Sequence, residues 1–458
     1  HAVSEATAIY TVGTLFPEIK HAEQWCKLGR FVLEDEARRF NWPDGSYTQH
    51  SMNYQRLMLH GYVWALRLGE LNGERFAPHL SESIRRSWEF LFQVQDCATG
   101  CTPNYGPNDG ALILPLNDCS YLDYRPVIGA VHYLTERSRL YELGPWDEDL
   151  LWLFGPESLE AKTHCHKRCS SDFHYGGYYT LRGNVSWAMI RCHSYKNRPN
   201  QADMLHLDLW WRGINLLRDS GTFSYFDPAD QWNSYFVSTA AHNTVVLGGE
   251  NQMIKGPRFR WFSLVKSKFQ LHVQQSYYEI WQGEHYGYCR LNSKAIHRRT
   301  VCRTGRNYWL VIDDIFGEGI ESVQLFWQLA DVPYSFQNNS VLLDTDKGIA
   351  QLTVLTDTDK GESVIHRGLD RQRRSGWLSL YYGRRDPAPT FSVGFTDELP
   401  RRLVTLLSLE ENCGIVDFSP ESIVSWSGPH AGGGTVELFP LSYDKKTIRS
   451  VHIKGLDK

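Results

Sequence analysis

The 458-residue chain has no run of about 18 consecutive apolar residues, so no helix of it is expected to span a membrane. It also lacks a strong excess of either charge. A formal net charge of −4 argues against general nucleic-acid affinity and leaves room only for a local basic groove. Low-complexity tracts and short-period repeats are missing. With 42% hydrophobic against 22% charged residues, the composition is that of a folded chain with a large core, not a disordered one. The ten cysteines are too sparse for a small disulfide scaffold. Cys97, Cys101 and the cluster HCHKRC (His164 to Cys169) match no strong zinc spacing, which ranks a structural metal there behind free thiols or a disulfide. No secretory leader is visible, and the chain opens at His1 without a Met. It reads as processed, trimmed or a fragment, so this lack excludes nothing about targeting.

Aromatic residues are plentiful, at 13% with 16 Trp and 24 Tyr. Sugar rings stack on such side chains, but an aromatic core explains the composition at least as well. The length fits two or three domains. Residues 1–160 read as helices joined by short connections, in the manner of packed hairpins. One helix runs to the break after Phe16, and a second places Trp25, Leu28 and Val32 on one apolar stripe. A third follows the Pro43-Asp44-Gly45 turn and runs to about Glu70, a fourth covers Pro78 to Gln95, and further segments lie near 123–139 and 147–154. Beyond residue 170 the pattern turns to β-rich runs such as GGYYTLRGNVSWAMIRCHS, HNTVVLGG and YWLVIDDIF, separated by Gly, Asn and Asp. In LHLDLW, Leu205, Leu207 and Leu209 alternate with His206, Asp208 and Trp210, one face apolar and the other mixed. Helices first and strands afterwards predict two domains, with a boundary in 155–175.

Several segments carry residues suited to chemistry. WPDGSYTQHSMNYQRLML (Trp42 to Leu59) opens a helix with His50, Asn53, Tyr54 and Arg56. If the helix includes both, His50 and Tyr54 share a face, and a neighbouring cation favours a phenolate able to serve as base or acid. Asn200, Gln201 and Asp203 precede a strand, Asp219 ends the next, and His242 begins another; each taken alone is an ordinary turn residue. The loop TPNYGPNDGALILPL adds Asn104, Tyr105, Asn108 and Asp109, and Arg125, His174, Arg258 and Arg260 could offer positive charge to a polyanion.

In their order, LFPE, DGSYTQHSMNYQR, GGYYTLRG, QADMLHLDLW, RDSGTFSY and STAAHNTVV resemble the heparinase II/III-like polysaccharide lyases over about residues 1–260. The resemblance implies an α/α toroid of helical hairpins, here partial, over 1–165, followed by an antiparallel β-sandwich over 170–458. A full toroid is longer, so an N-terminal portion is expected to precede this chain. It also implies cleavage of uronic-acid glycans, glycosaminoglycan or alginate-like, by β-elimination in a secreted or periplasmic bacterial protein. Such a reaction needs a neutralised uronate carboxylate, a base for the C5 proton and an acid for the leaving oxygen, and no hydrolytic pair of carboxylates. The family's catalytic Tyr maps onto Tyr54. The neutralising segment ends by spacing at His1, with Glu5 where an acidic residue is common. Substrate contacts would come from His50, Asn53, Arg56, Asn104, Tyr105, Asn108, Arg125 and His174. Relatives carry a His-Gly-His-Ala-Asp-like motif, and here Pro199 and Gln201 replace both histidines. Tyr54 is then expected to act as base and acid in turn, with Asn200 or Gln201 helping to bind the carboxylate. A structural divalent metal (Zn or Mn) would rest on Asp219 and His242 with Gln201, an amide being a weaker ligand than imidazole. No organic cofactor is implied. The alternative is a non-catalytic protein that binds acidic glycans and has lost the histidine base.

Overall fold

The computed structural model describes residues 1–226, 232–305, 307–358, 360–369 and 374–409, residue 441, and the strand segments 414–419, 423–428, 432–438 and 451–454. The chain forms two compact units, His1–Gly177 and the part from Tyr178 onward.

The first unit is helical, with α1 (Ala2–Leu15), α2 (Ala22–Phe40), α3 (Met52–Leu71), α4 (Pro78–Gln93), α5 (Arg125–Glu136) and α6 (Glu148–Phe154). The sequence places the packing stripe of α2 on Trp25, Leu28 and Val32, but the buried face is Ala22, Gly29, Leu33 and Ala37, and Leu28 is 52% exposed. The reason is the closeness of α1. A Cβ added at Gly29 would sit 2.7 Å from Ala6 O, and one at Gly13 would sit 2.5 Å from Ala22 O. Backbones that near select small residues over large ones. The third helix also starts later than its turn implies. Ser51 is its N-cap, its Oγ accepting from Tyr54 N at 3.0 Å. His50 lies outside the helix at φ +50°, so it does not share a helical face with Tyr54.

The second unit is antiparallel β throughout its named sheets. One sheet orders its eight strands 334–337, 340–345, 348–356, 401–409, 308–316, 296–304, 278–285 and 267–274. Another orders 362–367, 389–398, 320–328 and 245–247, and strands 178–182, 186–191, 207–211 and 214–217 are neighbours in sequence order. Val301, Val311 and Leu407 of the first, Val323, Leu325 and Phe391 of the second, and Leu181, Ile190 and Leu209 of the third meet in one apolar core. Apolar faces closing on each other define a β-sandwich. The alternation expected from Leu205 begins only at Leu207, because Leu205 is left-handed (φ +63°) and donates its N–H to Arg191 O. The mixed face is not solvated either, since His206, Asp208 and Trp210 are all buried.

Candidate functional site

In the first unit, the loop 104–109 closes on the N-terminus of α3. Met52 N donates to Tyr105 O (3.1 Å) and Ser51 Oγ to Pro107 O (2.5 Å). Only a glycine fits between them: a Cβ at Gly106 (φ +84°) would lie 2.1 Å from His50 O. This contact sets Tyr54, in the first turn of α3, beside Asp109. The Tyr54 hydroxyl donates to Asp109 Oδ2 at 3.2 Å, and Asp109 Oδ1 accepts from Ala111 N at 3.0 Å.

Beneath them is a polar network. The Tyr121 hydroxyl lies 2.7 Å from Asn108 Oδ1 and 2.9 Å from Asn53 Oδ1, its single proton serving one at a time. Arg56 donates from Nη2 to Asn53 Oδ1 (2.6 Å) and from Nη1 to Tyr121 O, and its guanidinium lies 4.3 Å from the Tyr121 ring centroid and 4.6 Å from that of Tyr124. Stacked between two rings and buried, Arg56 acts through Asn53 and Tyr121 and does not project into solvent. Asn53 Nδ2 is buried and has no hydrogen-bond partner among the described residues, a donor of the kind that a bound anion satisfies. One helical turn further on, burial and the Arg56 charge push His60 down to about 3, which keeps that ring neutral.

Other expected residues fall differently. Tyr105 and His50 are buried, and Asn104 is half-buried. Arg125 is engaged inside the unit, donating to Asp123 and to Thr99 O while stacking 3.8 Å over Trp146. His174 is exposed in the turn before Gly177, as are Arg258 and Arg260 in the second unit. His1 is exposed at the N-cap of α1 without a side-chain cap bond, and Glu5 is exposed in the first turn. Tyr121 and Tyr124 were not found from sequence. Their partners lie some 65 residues away in the chain, and no local pattern marks them.

The second polar cluster belongs to the second unit. His242 Nδ1 lies 3.1 Å from Asp219 Oδ2, and Gly221 N donates to Asp219 Oδ1 at 2.7 Å. Gln201 Nε2 is 3.4 Å from both Asp219 Oδ2 and Asp203 Oδ2. Asn200 stands half-buried beside it. Burial alone would raise the Asp219 carboxyl, but the charge and hydrogen bond of His242, with help from His206 and Gly221, hold it below its ordinary value. Sequence reading passed over His206, whose ring meets that of His242 at 5.5 Å; ligand atoms of His206, Asp219 and His242 all lie within 4.8 Å of one another. Two imidazoles and a carboxylate fit a divalent ion of the zinc class. His206 Nδ1 already accepts from Asn243 N at 3.0 Å, so that nitrogen is engaged and Asp219 and His242 are the stronger ligands.

Comparison with known proteins gives a consistent result. The model of the heparinase II/III N-terminus matches residues 1–107, and that of the heparinase II/III-like C-terminal region matches residues 166–416. The heparin-sulfate lyase of Bacteroides thetaiotaomicron is 25% identical over 362 residues, covering 75% of this chain and 47% of its own. That of Pedobacter heparinus is 20% identical over 409 residues, covering 85% and 54%. The crystal structure of a heparan sulfate lyase mutant from Pedobacter heparinus matches 97% of this chain and 66% of its own, at 18% identity and a TM-score of 0.70. A crystal structure of heparinase III matches 94% and 66%, at 17% identity and a TM-score of 0.69. The chain thus spans about half the length of the curated relatives it matches.

Proposed function

The chain belongs to the heparinase II/III-like family, and we propose that it acts as a polysaccharide lyase on uronate-containing glycans of the glycosaminoglycan kind, by β-elimination with Tyr54 as base and acid. The observation that carries this reading is the Tyr54 hydroxyl, held by a capped helix end and bonded to a carboxylate. Tyr54 starts as a phenol. Its proton passes to Asp109 as the phenolate oxygen takes the C5 proton of the uronate. The C5–H electron pair forms the C4–C5 double bond and the C4–O bond breaks. Tyr54 then gives its newly acquired proton to the leaving glycosidic oxygen, and Asp109 returns the first. Protons and electrons balance without water.

The uronate carboxylate must be neutralised as charge builds on the enolate. The spare donor of Asn53 suits that task, and His1 is the candidate that the family motif carries in the same unit. A divalent ion held by Asp219 and His242, with His206 and Gln201 beside them, would supply fixed positive charge to a buried acidic cluster. No proton transfer in this scheme depends on it.

Pro199 and Gln201, at the positions of the family's histidines, favour the second reading, a glycan-binding protein without activity. Incubating the full chain with heparan sulfate and reading the ultraviolet absorbance of the unsaturated uronate separates the two. A rise in absorbance is expected; glycan binding with no unsaturated product at any pH would establish the second reading.

A further inference from the structure

The second unit holds an arginine that no step of the elimination uses. Strands 377–381 and 384–387 pair as a hairpin, and the hairpin packs on the segment that follows Asp219. Ser379 N donates to Ser220 O (2.8 Å), Phe223 N to Ser379 Oγ (3.0 Å) and Gly383 N to Phe223 O (2.6 Å). These bonds bring Arg385 against three rings. Its guanidinium carbon lies 3.9 Å from the ring centroid of Trp232, 4.7 Å from that of Phe223 and 5.4 Å from that of Trp377. Trp232 meets Trp377 edge-on at 5.2 Å and Phe223 at 6.2 Å, so the rings brace one another and fix the platform.

A guanidinium that spends its face on a ring keeps its N–H edge for an acceptor. Arg385 is half-buried, and among the described residues its Nε is buried without a hydrogen-bond partner and no carboxylate pairs with it. The acids close to it in the chain fold are already engaged. Asp386 accepts from Arg384 Nε at 3.0 Å, and Asp219 is bonded to His242. Arg374 places a second guanidinium 5.1 Å from the Trp232 centroid, which adds positive charge at the same indole. Beside the hairpin, Tyr225 meets Tyr382 at 5.4 Å and Phe259 at 5.5 Å, and Phe259 is exposed. Such rings offer apolar surface to the face of a sugar.

We propose that Arg385, on the platform of Trp232, Phe223 and Trp377, anchors a subsite for an anionic group of the glycan, a sulfate ester or a uronate carboxylate. The ring ledge of Tyr225, Tyr382 and Phe259 takes the adjoining sugar. Both anions present two oxygens to the edge of a guanidinium, the geometry of bidentate recognition. A fixed cation with an open hydrogen-bonding edge gains from such a partner what a neutral sugar cannot give. The subsite presupposes the proposed action on acidic glycans, but it needs no catalysis and serves binding alone.

The test is calorimetric titration of the full chain with heparan sulfate oligosaccharides and with the same oligosaccharides chemically desulfated. Tyr54→Phe serves as the parent, so that the ligand survives the experiment. Arg385→Gln in that parent is expected to weaken binding of the sulfated ligand by about 10-fold or more, the worth of a charge-assisted bidentate contact. Arg385→Lys keeps a cation over Trp232, and with it the packing, but loses the planar fork, so a smaller loss is expected. A loss confined to the sulfated ligand assigns the anion as a sulfate ester, and an equal loss on both assigns the uronate carboxylate. Parent affinity in both variants would overturn the subsite. So would a loss in Arg385→Gln that accompanies early melting while Arg385→Lys binds as the parent does. A parent that binds neither ligand would overturn the glycan reading itself, and the subsite with it.

Discussion

Tyr54→Phe is expected to lower kcat on heparan sulfate by about 10²–10⁴-fold, the usual worth of a positioned proton-transfer group, with KM nearly unchanged. The substitution removes one oxygen. The ring keeps its place in α3, because the cap bond runs from Tyr54 N to Ser51 Oγ and does not use the phenol. The lost hydrogen bond to Asp109 lies at the surface, where water replaces it, so folding stability should hold. A selective fall in kcat is what proton transfer through the phenol requires. Full activity in the variant would remove Tyr54 from the reaction. A parallel loss of thermal stability would assign it a structural role instead.

Arg299→Met is expected to destabilise the second unit by about 3–5 kcal/mol, the cost of leaving a buried charge without its partner. Arg299 is fully buried and grips Asp313 with Nε (2.7 Å) and Nη2 (2.9 Å). Its Nη1 donates to Leu205 O and Asn243 O, tying strand 296–304 to the segments that carry His206 and His242. Burial would raise the Asp313 carboxyl, but Arg299 and the hydrogen bond from His297 hold it at about 2. Without the guanidinium, Asp313 stays charged or takes up a proton, and two carbonyls lose their donor. Denaturant unfolding reads the loss. The double variant Arg299→Met, Asp313→Leu should recover much of it, because replacing both partners leaves no stranded charge. A double variant no more stable than Arg299→Met would show that the two carbonyl contacts, and not the ion pair, dominate.

Much of the fold was legible because periodicity survives burial. The helix runs and the switch to strands follow from local pattern. The packing face of α2 was not, because hydrophobicity points to Leu28 while the approach of α1, visible only in three dimensions, favours Gly29 and Ala37. At the candidate site, Tyr54 was found through the motif around it. His50 was misplaced by one residue's backbone, a left-handed turn ahead of the Ser51 cap. Tyr121, which joins Asn53 to Asn108, and His206, which joins Asp219 and His242, needed long-range contacts that no spacing announces. Asp109 stood in view as a turn residue, and only its distance to the phenol gives it a role.

The central claim is elimination, and isotope incorporation tests it most directly. Heparan sulfate is digested by the full chain in water enriched in oxygen-18, and the products are weighed by mass spectrometry. Elimination adds no water, so the account predicts unsaturated ends and no heavy oxygen in either fragment. Saturated products carrying one oxygen-18 at the cleaved bond would mean hydrolysis, and would contradict it.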